Sequence, residues 1–239
     1  MIERLLLKLR ARDDVSPDKE RVLRTAVSHI RPVVADQIVV HAHTDVKECN
    51  LLLEGVMCRY KDLADGERQI SELHVAGDFV DLHSFPLKRL DHDVLALTAG
   101  RIAIVPHDHV LEITEKYPHL CRLLWFSTTM DAAIHREWVL SLGRRSAISR
   151  IAHLFCELHV RLGIVGLGEE TGFDWPLTQQ DLAECLGLTP IHVNRVLGAL
   201  KTQGVVAVQR GRVAFLDFER LREIAEFSTD YLFIEKRPR

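Results

Sequence analysis

No apolar run in this 239-residue chain approaches the roughly 20 residues that cross a bilayer. The opening MIERLLLKLRARDD offers three consecutive leucines with charges on both sides, so it reads as neither a secretory signal nor a membrane anchor. The expected location is the cytoplasm, with no membrane partner. Cysteine is sparse and scattered. Cys49, Cys58, Cys121, Cys156 and Cys185 form no C-x-x-C pair, and in a reducing compartment they read as free, mostly buried thiols. Positive charge is not in excess either. The net charge is −3, and residues 143–239 carry 13 Lys and Arg against 12 Asp and Glu. A nucleic-acid surface would therefore have to be a local patch. The chain also lacks a Gly-rich phosphate loop, a nucleophile elbow, an H-E-x-x-H helix and any gathered pair of carboxylates. No reaction type is suggested, and the expectation is that it is not an enzyme.

What is present reads as a folded chain with room for one large domain or two ordinary ones: 47% of residues are hydrophobic and 27% charged. Residues 1–30 read as helical, with Ser16 as an N-cap and Pro17 at the first helical position. From Arg31 to about Pro106, short segments of partial alternation are separated by turn signals such as Ala64–Gly66 and Ala76–Asp78. That spacing suggests an all-β sandwich or roll. After Pro118 a long helix runs to Gly143, which is read as its end. Its residues Leu120, Leu123, Leu124, Ser127, Met130, Ile134 and Trp138 fall near one stripe, suited to a partner helix or to the chain's own core. A second helix follows. The segment IVGLGEETGFDWP then reads as a Gly-rich loop.

The richest stretch is PLTQQDLAECLGLTPIHVNRVLGALKTQG. Thr178 can cap a first helix, with Asp181 answering from the third position. Gly187 stops it. Thr189 caps a second helix with Pro190 at its first position. Two helices around a tight Gly turn make a helix-turn-helix. On the second helix (190–202), Val193, Val196, Leu197 and Leu200 share a core-facing arc. Ile191 and Arg195 project from the other side, flanked by His192 and Asn194. Arg195 suits the O6 and N7 acceptors of guanine, and Ile191 suits a thymine methyl. Behind this helix, Arg210 and Arg212 flank Gly211 at the tip of a β-hairpin, the geometry of a wing that touches phosphates. A different reading has the winged helix contacting a protein instead, as part of a ligand- or redox-sensing interaction protein.

In this order the segments resemble the Crp/Fnr family of bacterial transcription regulators over roughly residues 15–230. HVAGDFVDL falls in the sensor roll, and LTQQDLAECLGLTPIHVNRVLGAL is the most specific segment. The resemblance implies an α+β architecture: an N-terminal jelly-roll-like β-roll (1–117), a dimerisation helix (118–142) and a C-terminal winged helix-turn-helix (143–239). It implies a homodimer on a palindromic double-stranded DNA site, and contact with RNA polymerase if the protein activates. Arg195 matches the family's recognition-helix arginine. Ile191 replaces a frequent glutamate, so the half-site should differ from the one glutamate-bearing members read. Thr178, Gln179 and Gln180 match phosphate-contacting positions, and Thr189, Arg210 and Arg212 join them as phosphate candidates.

The sensor departs from the family pattern. The family's Gly-Glu-Leu turn falls on Asp81, Leu82 and His83, and its Arg-Ser pair falls near Leu90 and Asp91, one place from Arg89. Asp81 and Asp91 would add negative charge beside a cyclic phosphate, so cyclic AMP is not the expected effector. Residues 1–48 hold no cysteine, so an iron–sulfur cluster is not expected. Gly77, Asp78, Phe79, Asp81, His83 and Arg89 remain the candidate effector pocket. The pairs His41/His43 and His107/His109 are weak metal candidates, read as alternate strand positions and more simply as exposed histidines. No metal or other cofactor is expected.

Overall fold

Local signals set most element boundaries in the computed structural model, which describes residues 1–238. Helices α1 (Glu3–Arg10) and α2 (Pro17–Thr25) open the chain, and the Ser16 side chain accepts from the Lys19 N–H at the start of α2. The strands β1 (His29–Val33), β2 (Ile38–Val40), β3 (Glu48–Glu54), β4 (Met57–Asp62) and β5 (Arg68–His74) follow. The short helix α3 (Ser84–Leu87) precedes β6 (Asp93–Ala96) and β7 (Gly100–Pro106). These strands form two antiparallel sheets, ordered β1-β7-β3 and β2-β6-β4-β5. Leu52, Ile102 and Ile104 from one sheet meet Met57, Val94 and Ala96 from the other in one buried cluster. That is the expected β-roll.

Strand β3 is buried on both faces, which explains its unbroken run Asn50-Leu51-Leu52-Leu53. Leu51 and Leu53 turn away from the roll interior. They pack against Leu5, Leu6 and Leu9 of α1 and against Leu120, Leu123 and Leu124. The latter three belong to α5 (Pro118–Arg144), which follows α4 (His107–Lys116). Gly143 does not end α5. The helix runs one residue further because Arg145 is extended and Ser146 caps the next helix, α6 (Ala147–Ile164).

The segment read as a Gly-rich loop contains a small hairpin, β8 (Gly168–Glu169) and β9 (Gly172–Asp174). It joins the expected wing strands β10 (Val206–Gln209) and β11 (Arg212–Phe215) in one sheet, ordered β10-β11-β9-β8. Between β9 and β10 lie α7 (Gln179–Leu186) and α8 (Pro190–Thr202), and α9 (Phe218–Ala225) follows the wing. Among the described residues no helix is long and apolar enough to cross a membrane.

The helix-turn-helix unit is docked on the sensor sheet. Gln69 of β5 donates from Nε2 to the Glu184 carbonyl (2.7 Å) and the Cys185 carbonyl (3.3 Å) at the end of α7. Arg161 of α6 donates to the Leu73 carbonyl (2.7 Å) and to Asp78 (3.0 Å). Met130, Ile134 and Trp138 of α5 share a buried cluster with Ile70 and Leu73 of β5 and with Ile151 and Phe155 of α6.

These contacts correct the expected dimer stripe. Leu120, Leu123, Leu124, Met130, Ile134 and Trp138 are all buried within their own chain, and Ser127 is half-buried. A partner helix cannot reach them. The face α5 leaves open is one step around the helix: Trp125, Thr129, Ala132, Arg136, Val139 and Gly143. These positions alternate by four and three residues, the spacing of a coiled-coil seam. Trp125 is 71% exposed and Val139 70%.

Candidate nucleic-acid interface

Both helices of the motif start as their sequences dictate. Thr178 accepts from the Asp181 N–H, and the Asp181 carboxylate accepts from the Thr178 N–H (2.7 Å), a complete capping box. Gly187 ends α7 at φ +59°, a left-handed conformation that glycine adopts without a steric penalty. Thr189 accepts from the His192 N–H and opens α8 with Pro190 behind it. Each such cap contributes about 1 kcal/mol.

On α8, Val193, Val196 and Leu200 are buried, while Ile191, Asn194 and Arg195 are exposed and His192 is half-buried. Ile191 is 83% exposed, so the helical-wheel placement holds. Among the described residues, no hydrogen bond or ion pair holds the Arg195 guanidinium. Asn194 donates from Nδ2 to the Gln179 side chain (3.2 Å), which ties the start of α7 to the middle of α8. Gln180 instead donates to Glu184 along its own helix (2.8 Å). A groove between α7, α8 and the wing is lined by Thr178, Gln179, Asn194, Gly198, Lys201 and Val208. Lys201 escaped the sequence reading. Its signal was its spacing: residues 194, 198 and 201 share one face of a helix.

The wing turn is a two-residue loop, with Arg210 at φ +51° and Gly211 at φ +73°. Arg210 is exposed at the tip. Arg212 differs from expectation. Its guanidinium reaches Glu169 (2.5 Å) and Asp174 (3.4 Å) on the β8–β9 hairpin, so its charge is already compensated within the sheet.

The candidate effector residues divide. Gly77, Asp78 and Phe79 line a small cavity with Lys8, Arg12 and Arg161. Gly77 sits at φ +98°, and a Cβ there would meet the Arg4 backbone at 2.8 Å, so it is a packing glycine. Asp78 accepts from Arg161, from Lys8 and from the Val75 N–H. Asp81, His83 and Arg89 do not join that cavity. Asp81 is buried and accepts from both the backbone and the side chain of Asn50 at 2.6 Å, and burial pushes its carboxyl up to about 7. His83 stacks on His92 (5.2 Å between ring centroids), and burial lowers it to about 3. Arg89 is exposed and pairs by its backbone with Asp45.

Deeper between the roll and α5, Arg59 donates to Glu72 (2.6 Å), to Asp131 (2.9 Å) and to the Val80 carbonyl (2.8 Å). Burial pushes the Glu72 carboxyl up to about 8 despite this guanidinium. His135 of α5 lies 3.3 Å from Glu72, and the fully buried His74 lies 3.8 Å from it. These side chains do not fit a cyclic nucleotide. The acidic position meant for a ribose is the buried Leu82, its neighbour Asp81 is bonded to Asn50, no arginine stands at the phosphate position, and the buried guanidinium is held by two carboxylates.

The histidine pairs are also placed differently from expectation. His41 and His43 lie in a loop, and His107 and His109 lie on α4 instead of a strand. His107 bonds Ser84 (3.2 Å), and His109 donates to the Ala26 carbonyl (2.8 Å). Burial raises the thiols of Cys49, Cys58, Cys156 and Cys185, with Cys156 at about 12, which keeps them protonated and unreactive.

A roll sensor, a long helix and a winged helix-turn-helix with an open reading face define a DNA-binding transcription regulator, not an enzyme. Comparison with known proteins agrees. Residues 30–117 match the family model of the cyclic nucleotide-binding domain, and residues 149–224 match that of the Crp-like helix-turn-helix domain. The chain is 31% identical to the transcriptional activator protein FnrL of Cereibacter sphaeroides over 208 residues, covering 85% of this chain and 83% of that protein. It is 31% identical to the nitrogen fixation regulation protein FixK of Bradyrhizobium diazoefficiens over 175 residues, covering 73% and 72%. The structure of FixK2 from Bradyrhizobium japonicum shares the fold, with a TM-score of 0.76 at 23% identity over 84% of this chain and 98% of that one. The chain belongs to the Crp/Fnr family.

Proposed function

We propose that the chain acts as a homodimer on a palindromic DNA site, joined along the open seam of α5, with one α8 in the major groove of each half-site. Arg195 reads guanine as a bidentate donor, Ile191 meets a thymine methyl, and His192 and Asn194 flank them. Phosphates are held by Gln179, Gln180, Lys201 and Arg210 and by the Thr178 and Thr189 helix starts. The sensor spans 1–117, the dimer helix starts at 118, and the DNA-binding unit starts at Ser146. Binding proceeds without cyclic AMP or an iron–sulfur cluster. Contact with RNA polymerase follows the activator role that the names of FnrL and similar relatives carry.

The observation that carries this reading is the outer face of α8, where an unbonded Arg195 stands beside an 83%-exposed isoleucine. Selection of bound sites from a random DNA pool, with purified protein and no added ligand, tests it. The expected product is a palindrome with a guanine in each half. Arg195→Ala should weaken binding by about 1–3 kcal/mol per half-site and relax that base position. No enrichment, or an unchanged Arg195→Ala profile, refutes the assignment.

A further inference from the structure

Two segments outside the matched family regions meet each other: the one around α1, before residue 30, and the one after α9. Arg12 donates from Nη2 to the Leu232 carbonyl (3.2 Å), and the Arg237 N–H donates to the Arg12 carbonyl (2.9 Å). Lys236 pairs with Asp14 (2.5 Å). Phe233 stands edge-on to Phe126 of α5 (6.5 Å), and the Arg12 guanidinium lies over the same ring (5.9 Å). Leu232 is fully buried.

Each side of this contact is anchored to a different unit. On the sensor side, Arg4 of α1 donates to the Leu53 carbonyl (3.0 Å), and Lys8 bonds Asp78. On the DNA-binding side, the Tyr231 hydroxyl donates to Glu157 of α6 (2.9 Å), and its ring stacks on His153 (5.8 Å). The segment therefore bridges the α5–α6 joint at Arg145–Ser146. Turning the DNA-binding unit about that joint would break these contacts. The reading face of α8 stays open, so the bridge does not cover the DNA site.

We infer that these two segments form an internal clasp that fixes the orientation of the DNA-binding unit, so that DNA affinity and half-site spacing are set without an effector. The clasp raises the fraction of molecules whose reading helices fit the site, and apparent affinity scales with that fraction. The inference rests on the DNA-binding reading above.

Three proteins decide it: the intact chain, a chain ending at Ile234, and Phe233→Ala. Each is titrated with the selected site and with the same site carrying two extra base pairs between its halves. The clasp predicts dissociation constants about tenfold weaker for both variants on the selected site. It also predicts a smaller preference for the original spacing. Equal affinity and equal spacing preference overturn it. If the shortened chain loses its circular-dichroism spectrum, Phe233→Ala decides alone, since the Phe233 side chain is half exposed. If the intact chain binds neither site, the DNA-binding reading falls, and the clasp with it.

Discussion

Ile191 and Arg212 show what single residues can and cannot reveal. A glutamate at 191 would accept from cytosine N4, whereas isoleucine offers only apolar contact. Ile191→Glu should therefore shift the selected half-site toward cytosine at one position and leave the Arg195 guanine in place. An unchanged selected site would remove Ile191 from the interface. The two wing arginines should also separate. Arg210→Ala should lower the slope of log affinity against log salt by about one unit, as a phosphate contact does. Arg212→Ala should change it less, because Glu169 and Asp174 already balance that charge. The caps at Thr178 and Thr189 were legible because their partners lie three residues away. The Arg212 pairs were not, because they come from a hairpin 38 and 43 residues earlier.

Helix α5 carries a buried apolar face and an open face on which Trp125, Ala132 and Val139 alternate with Thr129 and Arg136, and periodicity alone found only the one that packs inward. The helix's start, most of its length and its place between domains were readable from Pro118 and the absence of glycine and proline up to Gly143, though its end lies past that glycine. Which stripe meets which neighbour was not readable, because β5 and α6 cover one side only after the chain folds. The faces separate by mutation. Val139→Asp should abolish the proposed dimer in sedimentation experiments while the far-UV spectrum stays intact. Ile134→Ala should instead cost about 2–5 kcal/mol of stability, the usual toll of a core truncation. It should leave the dimer constant unchanged at temperatures where the chain is folded. A monomeric, fully folded Ile134→Ala protein would restore the inward stripe as the dimer face.

The molecule as a whole is poised around neutral pH. Burial holds His74, His83 and His153 below their ordinary value of 6.5, the latter two at about 3. The unfolded chain takes up these protons as pH falls below 6.5 and the folded chain does not, so stability falls toward acid. Each such group contributes about 1.4 kcal/mol per pH unit. Glu72 and Asp81 act in the opposite sense. Their folded carboxyls are raised to about 8 and about 7, so the stability they add at low pH is lost as pH rises through those values. The thermal midpoint should peak near pH 6.5 and decline on both sides. His153→Phe should flatten the acid limb and Glu72→Gln the alkaline limb; unaltered limbs would mean these groups titrate normally. The mismatch with a nucleotide pocket was visible at Asp81 and Asp91. What fills the space instead was not visible, because Arg59 and Asp131 lie 72 residues apart.

The open seam of α5 also gives the protein a built-in optical gauge. Of its three tryptophans, Trp138 and Trp175 are buried, and Trp125 alone faces water in the single chain. Pairing along that seam would take the Trp125 indole out of solvent. Its emission should then move to shorter wavelength as protein concentration rises. Assembly could be followed by unlabelled fluorescence, and the same signal would report whether DNA drives it.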